Sequence, residues 1–366
     1  MKFLNRLFCS LCCITIGFSV FSCMKSTQNV VLDNAIETHH VGEGEERIRV
    51  SDLSKEATIT TLDSTVFVGG TDKVLVNGNF IYILHNQNLF CFDHRNGVLQ
   101  AHYKKQGRSA NEYVKILDFD IDSVNGNVYL LCQPMKIIEL SRDLTFSRVI
   151  DVKEGYDRMA VDDGQMYLYS YYLHKLDVLC DGETTCLMEF PNTPAWIFGE
   201  TSVFHKTADG ILFTPEPFAS IYSINGKDIE HIIHLSYLGE EETMDRLNKS
   251  KLLLKEETLK YPFPKIRRII VMNNLMIVIY SYGIRVRTCL IDKANHKIVK
   301  DGILNAANPF PTLCYDHTFF AIDVLNPDPE MSILDTASVA FTYSTQPARE
   351  NEQLAVFKYV FNPEWK

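Results

Sequence analysis

Between residues 107 and 131 the chain alternates apolar and acidic positions with the period of a β-strand. Ile116, Phe119 and Ile121 are apolar, and Asp118, Asp120 and Asp122 fall on one face at period two. Ser-Val-Asn-Gly-Asn at 123–127 tolerates positive φ, and Val128-Tyr129-Leu130-Leu131 returns as a mostly buried strand. Such hairpins recur and gather in fours. Residues 74–76, 80–84, 89–92 and 98–103 make the first group, broken by Asn77-Gly78-Asn79 and by 93–97. The second covers 117–152, the third 159–190, the fourth 201–235 and the fifth 266–300. A less regular sixth has 312–315, 318–324 and a last strand at 354–361. Six groups spaced by about 53 residues exceed the ~40–50 of common propeller repeats, and insertions account for the excess. The pattern predicts an all-β fold: a six-bladed β-propeller of four-stranded antiparallel blades over 47–366, with one helical insertion near 240–261.

The helix reading rests on Met244, Leu247, Leu254 and Tyr261 sharing a face, with Glu240 to Glu242 in the first turn and Lys255 and Lys260 toward the end. Pro262 and Pro264 stop it. A ring must also be closed, because an open one leaves two strand edges unpaired. Segments 48–53 and 57–62 precede the first blade, and one of them is expected to pair beside the C-terminal strand 354–361.

The first residues carry an address. Lys2 and Arg6 precede an apolar run at 7–22 that is too short and wrongly flanked for a membrane span. It ends at Val20-Phe21-Ser22-Cys23, the form of a bacterial lipobox, which makes 1–22 a lipoprotein signal peptide and Cys23 the lipidated residue. An ordinary secretory signal with an incidental cysteine is the alternative. Residues 23–46 read as a lipidated flexible tether, with His39 and His40 solvated. Loss of 1–22 lowers the formal net charge of −10 by two. That acidic balance argues against nucleic acid, which needs concentrated Lys and Arg on one face. Hydrophobic content of 46% with 17 Tyr and 22 Phe is ample for a core. The cysteines beyond Cys23 lie scattered on strand-like segments, as buried thiols do. Only Cys180 and Cys186 are near enough in sequence for a bridge across their turn, and that question stays open here.

Gly107, Glu112 and Tyr113, then Asp118 to Asp122 and Asn125-Gly126-Asn127-Val128-Tyr129, carry a resemblance. The chain resembles a family of six-bladed β-propeller lipoproteins of gut-dwelling Gram-negative bacteria, similar in shape to NHL-type propellers and largely without assigned activity. Their motif is close to G-x-G-P-x-E-[YF]; Ser109 and Ala110 stand here in place of its second Gly and Pro. Similarity is specific over about 52–152. In that lineage acidic residues directly after the lipidated cysteine favour export to the outer face. Here the first acid is Asp33, which points to an outer-membrane anchor facing the periplasm.

Candidate chemistry is sparse. Arg108, Glu112, Tyr113, Asp118 and Asp120 are the candidate binding residues near the ring's mouth. The aspartates have two readings: a calcium site with loop carbonyls, or, as favoured, a solvated strand face or caps on inter-blade backbone donors. Arg108 is expected to pair with Glu112. Arg267, Arg268, Arg285 and Arg287 put positive charge on the fifth blade, as solvated or salt-bridged groups or as an anion patch. Tyr167, Tyr169 and Tyr171 share a face that is either core or a stacking surface, and Tyr172, Trp196 and Phe198 add further aromatics. His231 and His234 are expected on opposite strand faces. No nucleophile elbow, zinc-helix, P-loop or dinucleotide motif occurs. The reading is therefore a lipid-anchored, monomeric, non-enzymatic binding or scaffolding propeller with no cofactor or metal, for a glycan, peptide or outer-membrane protein. The alternative is a propeller hydrolase or lyase acting on a polysaccharide or lactone-like ester, using Asp118 or Glu112.

Overall fold

Hairpin tips with both central residues at positive φ set the cadence of the sheets. Asn86-Gln87, Asp163-Gly164, Asp181-Gly182 and Asp316-His317 all have this geometry, which matches the right-handed twist of the flanking strands. The computed structural model describes residues 38–64, 71–190, 202–216, 218–243, 263–305, 308–325, 334, 336, 338–344 and 353–361. They form a six-bladed β-propeller.

From the axis outward, blade one is Lys73–Asn77, Phe80–His85, Asn88–Asp93 and Leu99–Tyr103. Blade two is Lys115–Ile121, Val128–Gln133, Lys136–Leu140 and Phe146–Asp151. Blade three is Arg158–Asp162, Gln165–Ser170, Lys175–Cys180 and Glu183–Glu189. Blade four is Phe204–Thr207, Gly210–Phe213, Ser220–Asn225 and Asp228–Ser236. Blade five is Lys265–Met272, Leu275–Tyr282, Arg285–Asp292 and Lys297–Leu304. Blade six takes Leu313–Tyr315, Thr318–Leu325 and Gln353–Phe361 from the C-terminal end and Ser54–Thr61 from the N-terminal end.

That last pairing closes the ring, with Ile59 opposite Phe357 and Thr61 opposite Ala355. Ala340–Tyr343 runs parallel outside Ser54–Thr61 as a fifth strand. Because every blade is an antiparallel meander, all six inner strands start on the same face of the ring. This connection face carries the blade-to-blade links and the turns between second and third strands. Apolar side chains fill the spaces between sheets: Tyr82, Phe119 and Leu130 between blades one and two, Tyr169 and Phe213 between three and four, Ile277 and Phe357 between five and six.

The paired chain begins before the boundary expected at residue 46. Thr38–His40 lies parallel to the outer strand of blade four, and Arg47–Ile48 parallel to that of blade five. This strap is pinned where it crosses blade five. The Gly42 N–H donates to Asp301 at 3.1 Å, and buried Arg287 donates to the Gly44 carbonyl. A Cβ on Gly44 would collide with the Asp301 carbonyl oxygen, so glycine lets the strap lie flat. The segment expected as a strand at 48–53 divides instead: Val50–Leu53 is one helical turn, whose Asp52 carboxylate accepts the Arg49 N–H at 3.0 Å. Of the insertion helix only the turn at 240–243 is described; 244–262 lies outside the described residues, as do the signal, Cys23, Trp196 and Phe198.

Two expectations change through register. A bulge skips Ile232, so His231 and His234 come to a ring separation of 6.4 Å rather than opposite faces. Each is held separately, His231 stacked on Tyr222 and His234 paired with Glu240 at 2.7 Å. Cys180 faces Glu183 and Cys186 faces Asp177, and both thiols are free.

The strap and the closing strand should be separable. Deletion of residues before Ser54 should lower the melting temperature by several degrees yet leave one cooperative transition. Deletion through Thr61 should abolish cooperative melting by circular dichroism. Equal, small effects would contradict this division.

Candidate functional site

An inner strand has one edge hydrogen-bonded in its blade and the other turned toward the axis, where its N–H groups need partners. The aspartates of blade two supply them. Asp118 accepts the Met159 N–H at 2.9 Å, Asp120 the Val161 N–H at 2.6 Å, and Asp122 the Gly164 N–H at 3.1 Å. A bulge at Leu117 sets the phase that aims all three at blade three. The same carboxylates hold lysines: Lys73 of blade one meets Asp118 at 2.7 Å, and Lys206 of blade four reaches Asp120 at 3.0 Å. The latter contact passes blade three, so it spans the axis.

Blade four makes an equivalent joint with a neutral ring. His205 Nδ1 accepts the Ile269 N–H of blade five at 3.2 Å, which leaves Nε2–H to donate to Thr214 Oγ1 at 3.1 Å. Burial, and then the charges of Arg268 and Lys73, drive its pKa well below the usual histidine value. In blade five a bulge at Arg267 turns Arg268 inward. Burial lowers its pKa, while Asp118 on the opposite side of the ring counters that shift. The axis thus gathers Lys73, Lys206 and Arg268 against Asp118 and Asp120. Among the described residues no group of three His, Cys, Asp or Glu side chains gathers as a metal would need.

The other residues singled out from sequence form a clamp on the connection face. Glu112 accepts the Ser109 N–H at 2.8 Å, which with the Arg108 backbone keeps its carboxyl below the usual range. A Cβ on Gly107 would overlap that carboxylate. Tyr113 is buried and donates to the Gln87 carbonyl, while Lys136 donates to the carbonyls of Ser109 and Ala110 at 3.0 and 2.9 Å. The Gly–Glu–Tyr motif therefore shapes the link between blades one and two, and Arg108 is left exposed beside it. Tyr167, Tyr169 and Tyr171 are buried in core. The four arginines of blade five disperse: Arg285 faces Glu45 at 3.6 Å, Arg287 pins the strap, Arg267 meets Ser281, and Arg268 alone enters the axis.

Sequence reasoning missed His205, Lys206 and Lys73, because strand periodicity does not say which edge faces the axis. Apart from Tyr172, it also missed the apolar tips of the connection face. Tyr172, Leu238 and Ile284 are 75%, 74% and 89% exposed, and Val114 and Leu173 are exposed with them.

A family model matches residues 34–358. The chain belongs to the DUF4934 family, a domain of unknown function. Its structure is similar to that of a Bacteroides fragilis protein described as exported, at a TM-score of 0.67 and 14% identity over 88% of this chain and 99% of that one. It is also similar to a DUF4221 family member from Bacteroides vulgatus, at a TM-score of 0.54 and 10% identity over 85% and 97% of the two chains. These likenesses establish the DUF4934 chain's fold alone. No curated protein matches its sequence.

Two outcomes follow. Asp118→Ala strands a buried N–H and the Lys73 ammonium, and should cost about 3–5 kcal/mol in denaturant unfolding; a loss under 1 kcal/mol would count against the ladder. His205 is neutral when folded and titrates near pH 6.5 when unfolded, so its contribution is complete above about pH 6.5 and falls as pH drops toward its depressed folded pKa. His205→Asn keeps an acceptor for Ile269 without a titrating ring and should flatten the stability profile below pH 6.5. An unchanged slope would contradict this.

Proposed function

We propose that this propeller is an exported, lipid-anchored protein of the cell envelope that binds a protein or peptide partner on its connection face. The observation that carries this reading is the spacing of exposed Val114, Tyr172, Leu173, Leu238 and Ile284 around one face, at turns and links that the blades hold rigidly. Large apolar side chains at such tips suit a protein surface better than a free glycan, and exposed Arg108 adds a charged contact. Export is supported by the apolar N-terminal run ending at Cys23 and by the description of the Bacteroides fragilis neighbour as exported. Anchoring at Cys23, with the ring facing the periplasm from the outer membrane, is supported by the lipobox and by the lack of acids directly after it.

The hydrolase or lyase alternative draws less support. It needs a free carboxyl at the axis, whereas Asp118 is committed to Met159 and Lys73, and Glu112 to its own loop.

Protein starting at residue 24, immobilised and exposed to detergent extract of its own envelope, should retain a specific partner. The triple change Tyr172→Ser, Leu238→Ser and Ile284→Ser should reduce retention at least tenfold with unchanged melting. Full retention by this variant would contradict the face assignment. Turnover of a polysaccharide or lactone that is abolished by Asp118→Ala would overturn the binding reading itself.

A further inference from the structure

One cation at the axis has no hydrogen-bonding acceptor among the described residues. Asp118 and Asp120 each accept a backbone N–H and each hold a lysine, so both carboxylates are already engaged. His205 is fixed in its neutral form by an accepted N–H at Nδ1 and a donated one at Nε2. Arg268 is the third cation, half-buried on the inner strand of blade five, and no hydrogen bond or ion pair within the described residues receives its guanidinium. A guanidinium removed from bulk water needs acceptors for its fork of N–H donors. Water can fill some of that need, but an oxyanion fills it and also cancels the charge.

We propose that the axial channel holds one carboxylate group, received by Arg268 and flanked by the Lys73 and Lys206 ammonium groups. The guanidinium lacks a direct acceptor among the described residues because the carboxylates nearest it are committed to backbone N–H groups and to lysines. Its fork favours a planar acceptor, which a carboxylate presents and a halide does not. The blades fix its geometry. Ile269, next to Arg268, is tied to blade four through His205, and Lys73 and Lys206 are tied to blade two. The inference goes beyond the partner-binding reading and holds whichever partner the connection face takes. The carboxylate can belong to an acidic sugar or to a peptide.

The test uses the intact exported chain in zwitterionic buffer at low ionic strength. Saturation-transfer NMR and thermal melting are followed during titration with acetate, glucuronate and N-acetylaspartate. Wild-type protein should bind acetate saturably and gain melting temperature. Arg268→Gln should lose that response, and it should melt no lower than wild type in carboxylate-free buffer, since it removes a charge that has no hydrogen-bonding acceptor. Arg268→Lys keeps the charge but not the fork and should bind at least tenfold more weakly. Tighter binding of glucuronate or of N-acetylaspartate than of acetate would support the site and identify its source as sugar or peptide. No saturable binding of any of the three by wild type would overturn the proposal, as would wild-type affinity in Arg268→Gln or Arg268→Lys. Full partner retention by the triple surface variant with intact acetate binding would overturn the face assignment and leave this site standing, so the two readings fail separately.

Discussion

A propeller depends on closure. Until blade six is completed from both chain ends, Gln353–Phe361 presents an unpaired edge. The antiparallel pairing of Ser54–Thr61 with Gln353–Phe361 supplies that closure. It also draws Ile59 and Phe357 into the core shared with blade five, so the same pairing that seals the edge buries apolar surface. The strap extends the device. By lying on the outer strands of blades four and five before entering blade six, residues 38–53 bind three consecutive blades with one piece of chain.

At the axis the constraint is different. Inner strands cannot pair with one another across the channel, so their axis-facing donors need side-chain acceptors. Asp118, Asp120 and Asp122 meet it between blades two and three, and His205 meets it between four and five. Charged groups thus enter the channel as joints. Their geometry also explains why acids so suggestive of chemistry serve the fold.

Much of this was legible. Asn-Gly and Asp-Gly turns with alternating strands gave the six blades, and the need to close the ring marked 354–361 as a partner for an N-terminal segment. Of the two favoured readings of the aspartates, their burial excludes the solvated face and their geometry agrees with caps. What was hidden has a physical pattern. Bulges at Leu117, Ile232 and Arg267 shift the phase of strands, and periodicity assumes that no residue is skipped. Parallel edge strands as short as Arg47–Ile48 are held by backbone bonds and leave no alternation to read. Arg287 looked like a surface arginine because nothing in its own strand announces Gly44 lying across it. Glu112 and Tyr113 stood out because a loop clamp and a binding motif use the same polar residue types.

Native-state hydrogen exchange addresses closure most directly, because it reads the free energy of opening amide by amide. If the ring is one unit held shut by its chain ends, amides of Ser54–Thr61 and Gln353–Phe361 should exchange only through global unfolding, with the same free energy as Leu130 and Leu168 in the middle of the ring. Exchange of the closing strands at a much lower free energy, with blades two and three still protected, would show that the ring holds without its clasp and would contradict the account.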